Sequence, residues 1–241
     1  HSSFKDKVSM SNLCQEITLP TTPIQDIHDE QGEIALCILS AVNVGGLNDL
    51  SELENICDLS VRALEQIIDY QDYPVKAAEV STKKRRSLGI GYIGLAHYLA
   101  KNGVKYSDPK AWDLVDRLSE AFQYHLLRAS NNIAKEKGKC EAFDGTKYAD
   151  GLLPIDHYKK DVDKIVPHKQ RMAWESLRKD IAKYGLRHST LSAQMPSESS
   201  SVVSNETNGI EPPRALLSIK KSKKGPLKQI APGFPKLKND Y

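Results

Sequence analysis

Asn12, Cys14 and Glu16 take alternate positions in Ser11-Asn12-Leu13-Cys14-Gln15-Glu16, just ahead of the apolar run Ile17-Thr18-Leu19-Pro20. In an extended segment, side chains two apart point to the same side. An amide, a thiol and a carboxylate would then face one ligand as hydrogen-bond partner, sulfur and base. A packing reading stands beside this one. Cysteine behaves as a small hydrophobe, flanking Asn and Glu can simply meet solvent, and periodicity does not separate the two.

Met195-Pro196-Ser197-Glu198-Ser199-Ser200-Ser201 is the second candidate, after a strand-like stretch from Leu186 to Ala193. If it opens a helix, free N–H groups and small hydroxyls there suit phosphate. The alternative is a plain Ser-rich cap or loop. Cys37 lies in the apolar run Ile34-Ala35-Leu36-Cys37-Ile38-Leu39, where a buried structural thiol is the default. A functional reading of Cys37 needs a second thiol, and Cys14 is the only other cysteine among the first strands. Cys57, on the apolar face of a helix, and Cys140, in a loop, read as structural. The four cysteines form no CxxC pair and the seven histidines no HxxxH or HxH, so no metal site is expected. Leu88-Gly89-Ile90-Gly91-Tyr92-Ile93-Gly94 matches the dinucleotide glycine pattern, which requires a buried strand before it. Lys83-Lys84-Arg85-Arg86-Ser87 precedes it instead, so the glycines read as close-packing positions inside a helix.

The elements that must hold these residues follow from patterning. Leu50, Leu53, Ile56, Cys57, Val61, Leu64, Ile67 and Ile68 recur at helical spacing between Asp49 and Tyr70. The basic run 83–86 reads as a solvated linker into a helix ending near Lys101, with Gly103 as its C′ residue. Ser107-Asp108-Pro109 starts a helix that runs to Gly138. Residues 139–166 read as irregular, with turns at Asp144-Gly145 and Asp150-Gly151. A further helix is expected from about His168 to Tyr184 and a short strand from Ala215 to Ile219. Lys220-Lys221-Ser222-Lys223-Lys224 reads as solvated surface. Strand-like runs separated by long helices indicate an α/β architecture.

Composition narrows the function classes. A chain of 241 residues holds one sizeable core or at most two small domains. With 27% charged and 39% hydrophobic residues it has an ordinary globular composition, and a net charge of +3 is too small to imply a nucleic-acid or membrane partner. No stretch reaches the apolar length of a membrane span, and no signal peptide opens the chain. These features favour a reducing cytoplasm, where a free thiol stays available. Because the chain begins at His1 rather than Met, a fragment or processed product is expected.

Several motifs in collinear order extend this reading. They are SNLCQE at 11–16, GEIALCILSAVN at 32–43, YQDYP at 70–74, RRSLGIG at 85–91, GLRHSTLSAQMPSESSS at 185–201 and SNETNGIEPPR at 204–214. Together they resemble the large, catalytic subunit of class I ribonucleotide reductase. The resemblance covers nearly the whole chain and fades after about residue 225. It implies a part of the catalytic barrel over 1–225 and a poorly matched segment over 226–241. The implied fold is α/β, a ten-stranded barrel of two five-stranded halves, with a central finger loop presenting the radical cysteine. The glycine pattern at 89–94 would fall within a helix of that fold.

The resemblance also implies roles. Cys14 matches the cysteine that becomes a transient thiyl radical, and Glu16 the carboxylate that takes the 3′-hydroxyl proton. Asn12 matches the amide that binds substrate and holds Glu16. Cys37 matches one of two reducing thiols, whose partner would lie upstream. Ser197, Glu198, Ser199 and Ser200 match the turn that binds the substrate diphosphate. The activity implied is reduction of ribonucleoside diphosphates to deoxyribonucleoside diphosphates. No cofactor is expected in this chain itself; the radical would come from a metal-containing small subunit, and ATP or dNTP effectors would bind parts of the subunit outside it. Expected partners are the rest of the large subunit, the small subunit, and thioredoxin or glutaredoxin. Alone, the chain is expected to be inactive. The alternative is a non-catalytic nucleotide-binding or interaction module that retains the fold.

Overall fold

The computed structural model describes residues 3–165, 169–222 and 225–241. Its centre is a parallel pair, β3 (Ile38–Asn43) and β4 (Leu88–Ile93), in register from Ile38 opposite Leu88 to Asn43 opposite Ile93. Parallel neighbours need a long crossover. Here it contains α1 (Glu52–Tyr70) and α2 (Lys76–Arg85). On the far side of β4, residues 190–193 run parallel to it. Leu88 N–H donates to Thr190 O at 3.1 Å, Ile90 N–H to Leu191 O at 2.8 Å, and Ala193 N–H to Ile90 O at 3.2 Å. Among the described residues Ile90 and Ser192 form the one bridge between β4 and this segment, so the expected strand over 186–193 is reduced to this short contact.

Helices cover the parallel layer. α3 (Leu95–Lys101) follows β4 directly. In α4 (Pro109–Lys137), Asp108 accepts from Lys110 N–H at 2.9 Å, Pro109 occupies the first turn, and Gly138 follows the end. α4 packs along α1, and both direct apolar residues inward: Leu53, Cys57, Val61 and Ile68 from one, Leu118, Leu126 and Ile133 from the other. Val42, Leu88, Ile90 and Leu191 from the parallel layer complete this core. Residues 139–165 hold two 3-10 turns and the one-turn α5 (Pro154–His157). α6 (Trp174–Tyr184) starts later than expected; His168, the expected start, lies outside the described residues.

Two antiparallel hairpins flank this layer. β1 (Met10–Ser11) pairs with β2 (Thr18–Leu19), and β5 (Leu217–Ser222) with β6 (Gly225–Ile230). Lys223 and Lys224 of the expected surface run lie outside the described residues. The α/β class is as expected; among the described residues the strands close no barrel.

Two sequence expectations are corrected here. The glycine pattern lies in a buried strand, not a helix: β4 carries Gly89 and Gly91 because neighbours pass where side chains would be. A Cβ on Gly89 would sit 2.9 Å from Cys37 Sγ and 2.9 Å from Ile17 Cδ1, and one on Gly91 would overlap Ala193 O. Nor is the basic run a solvated linker. It ends α2, and Arg85 and Arg86 are buried because each meets a buried carboxylate, Glu33 at 2.5 Å and Glu65 at 2.8 Å. No described helix is long and apolar enough to cross a membrane.

Candidate functional site

SNLCQE is the tip of the β1–β2 hairpin rather than an extended segment. Asn12 N–H donates to Ile17 O at 3.2 Å, and Gln15 N–H donates to Asn12 O at 3.0 Å. Gln15 turns the chain with φ +62°, which breaks the two-residue alternation. The residues still work together, through side chains. Asn12 Nδ2 donates to Glu16 Oε1 at 2.6 Å, while Asn12 Oδ1 accepts from Ile17 N–H at 3.1 Å. Glu16 Oε2 is buried and has no partner among the described residues. The amide thus fixes one carboxylate oxygen and leaves the other as an unused acceptor. Cys14 is exposed beside Leu13, which is 97% exposed.

Ile17 and Leu19 anchor the hairpin in a small apolar cluster with Phe4 and Ala193, against which Cys37 packs. Cys37 lies just before β3, against the open surface of Gly89. Burial pushes its thiol up to about 12, and the charge of Glu16 adds to the effect. Cys37 is therefore held as a thiol within the electrostatic reach of Glu16. Cys57 and Cys140 are buried, as their structural reading expected, and burial raises each to about 12.

Ser197 lies four residues beyond the 190–193 segment and precedes α7 (Glu198–Val203). Its Oγ donates to Met195 O at 3.0 Å, and its N–H donates to Asn208 Oδ1 at 3.1 Å. Ser200 Oγ donates to Ser197 O at 3.3 Å, and Glu198 pairs with Lys220 at 3.2 Å. Glu198, Ser199 and Ser200 are exposed at the first turn, whose N–H groups have no acceptor within a helix. No described hydrogen bond joins this turn to the hairpin tip. Both are based on β4: Cys37 and Ile17 lie against Gly89, and Ala193 and Met195 against Gly91.

Charged groups that patterning missed set the position of the 186–193 segment. Glu65 of α1, 1% exposed, meets Arg86 at 2.8 Å, Arg187 at 2.8 Å and His188 at 3.0 Å. Burial works against its ionised form, yet bonds from His188, Arg86 and Arg187 hold the carboxyl down at about 2. Burial lowers the pKa of His188, which is also bonded to Ser130 at 2.9 Å. RRSLGIG and GLRHS each contribute charge to this cluster, a pairing visible only once Glu65 is placed between them.

Among the described residues, no cluster of three or more His, Cys, Asp or Glu could hold a metal ion. The family model described as "Ribonucleotide reductase, barrel domain" matches residues 1–241. The ribonucleoside-diphosphate reductase subunit alpha of Haemophilus influenzae is 59% identical over 244 residues, covering 100% of this chain and 32% of that protein. Ribonucleoside-diphosphate reductase 1 subunit alpha of Escherichia coli is 54% identical over the same length and coverage. The subunit alpha of Enterobacteria phage T4 is 45% identical over 232 residues, with 95% and 30% covered. The chain spans about a third of the length of the curated relatives it matches.

Proposed function

This chain belongs to the ribonucleotide reductase family, within its barrel domain, and we propose that it supplies the radical cysteine, base and diphosphate turn of a ribonucleoside-diphosphate reductase catalytic subunit. The observation that carries this reading is the Asn12–Glu16 bond beside exposed Cys14, with the second Glu16 oxygen buried and unpartnered.

The roles follow from the groups. As a thiyl radical, delivered through the metal-containing small subunit, Cys14 takes the hydrogen atom from the ribose 3′ carbon and becomes a thiol. Glu16, through its unpartnered oxygen, accepts the 3′-hydroxyl proton as the 2′-hydroxyl leaves as water. Asn12 keeps the carboxylate aimed and offers its amide to substrate. Cys37, kept as a thiol by burial and Glu16, and a partner thiol together give two protons and two electrons. One proton completes the departing water, and one hydrogen ends on the 2′ carbon. The remaining electron lets Glu16 return its proton to the 3′ oxygen and Cys14 its hydrogen atom to the 3′ carbon. The partner thiol comes from elsewhere in the subunit, and the resulting disulfide is reduced by thioredoxin or glutaredoxin. The turn Ser197, Glu198, Ser199 and Ser200, exposed from Glu198 onward, holds the diphosphate through the amides of residues 198–200 and the Ser199 hydroxyl. β3, β4 and residues 190–193 supply parallel strands of the ten-stranded barrel, and the β1–β2 hairpin is its finger loop.

The test is turnover of ribonucleoside diphosphate by the assembled alpha subunit with the small subunit and thioredoxin. Cys14→Ser should abolish deoxynucleotide formation while leaving substrate binding intact, and this chain alone should form none. Retained turnover in Cys14→Ser would refute the assignment and favour a module that binds nucleotide without radical chemistry.

A further inference from the structure

Residues 206–209 pin α7 to the ends of the parallel strands. The side chain of Glu206, 4% exposed, fills a notch between Gly45, in the turn after β3, and Gly94, between β4 and α3. A Cβ on Gly45 would overlap Glu206 Oε2, and one on Gly94 would lie 2.7 Å from Glu206 Cγ. Within the notch, Oε2 lies 3.0 Å from His97 Nδ1 of α3, and Oε1 accepts from Thr207 N–H at 3.0 Å. The backbone adds to the clamp: Gly94 N–H donates to Thr207 O at 3.0 Å and Leu95 N–H to Gly209 O at 3.3 Å. Lys101 holds the turn below through Gly45 O at 3.0 Å and Leu47 O at 2.8 Å.

Two bonds carry this anchorage to the serine turn. Glu206 N–H donates to Ser201 O at 2.7 Å, and Asn208 Oδ1 accepts from Ser197 N–H at 3.1 Å. The first bond places the end of α7 and the second its beginning. Ser197 N–H is thereby committed, which leaves the amides of residues 198–200 to face a ligand. The carboxyl ends of parallel strands are where α/β sheets collect ligands, and Glu206 is the buried side chain that fastens the turn there.

We propose that Glu206 and His97 are positioning residues for diphosphate binding, setting where the turn at 197–200 sits without touching substrate. This rests on the assignment of that turn to the diphosphate. An interaction made equally in ground and transition states sets KM and spares kcat.

The experiment is steady-state kinetics of the assembled reductase carrying Glu206→Ala, Glu206→Gln or His97→Phe. Glu206→Ala should raise KM for ribonucleoside diphosphate about fivefold or more with kcat within about twofold. Glu206→Gln, which fills the notch and keeps the Thr207 bond, should restore KM to within about twofold. His97→Phe leaves Glu206 in place, removes one bond, and should raise KM about two- to threefold, so the proposal stays testable if Glu206→Ala fails to fold. Unchanged KM in His97→Phe and Glu206→Ala, a loss confined to kcat, or a Gln variant as impaired as Ala would overturn it. A wild-type enzyme without reductase activity would instead overturn the functional assignment, and this proposal with it.

Discussion

Replacing Glu65 with Gln should remove a large, pH-dependent share of the stability around residues 186–189. The substitution keeps the shape and takes the charge from a site where two guanidiniums and a buried imidazole converge. The carboxyl is held at about 2 against an ordinary 4.5, which converts at about 1.4 kcal/mol per tenfold change to about 3 kcal/mol. Solvent reaching Arg187 screens part of this, leaving an expected loss of about 2 kcal/mol at pH 7. The sign follows from linkage. The stabilisation is fully present above pH 4.5, where the carboxyl is ionised folded or unfolded. It is lost as the pH falls towards 2, because the unfolded chain takes the proton first. By pH 4 about 0.8 kcal/mol of it should be gone. Native-state hydrogen exchange at the amides of 187–189 in the alpha subunit, wild type against Glu65→Gln at pH 7 and pH 4, reads both figures. A difference under about 0.5 kcal/mol at pH 7, or one that does not narrow at pH 4, would refute the reasoning.

Gly91→Ala should cost about 1–3 kcal/mol, since its Cβ would overlap Ala193 O and come within 3.0 Å of Met195 Sδ; an unchanged Tm would contradict this packing. Iodoacetamide at pH 8 should label exposed Cys14 well before Cys37, whose thiol is held up at about 12. Glu16→Gln removes one cause of that elevation and should speed labelling of Cys37, read by peptide mass; equal rates in both proteins would count against the coupling.

What the sequence made legible depended on how local each signal was. The α4 boundaries were readable because Asp108, Pro109 and Gly138 mark them within the helix's own ends. β4 was misread because its glycines answer to Cys37, Ile17 and Ala193, which are distant in sequence. The burial of Arg85 and Arg86 was hidden for the same reason, their carboxylates lying 52 and 21 residues away. At the hairpin tip the expected extended face was wrong: Gln15 takes φ +62°, which its residue type does not announce. The serine turn was marked as a candidate by its composition and motif. Asn208 and Glu206 were not, since their role exists only once the strand ends are brought together.

The Glu65 cluster has a consequence for the order in which the chain acquires its structure. Its bond to Arg187 spans 122 residues, and closing so long a loop costs on the order of 4 kcal/mol of chain entropy by logarithmic scaling. Arg86, only 21 residues from Glu65, can join it early, within the unit formed by α1, α2 and β4. Arg187 and His188 would then join a carboxylate already paired with Arg86, bringing the segment that leads to the serine turn. The 186–193 segment should therefore dock onto a preformed unit, so contacts at Arg187 should govern how fast the layer opens more than how fast it forms.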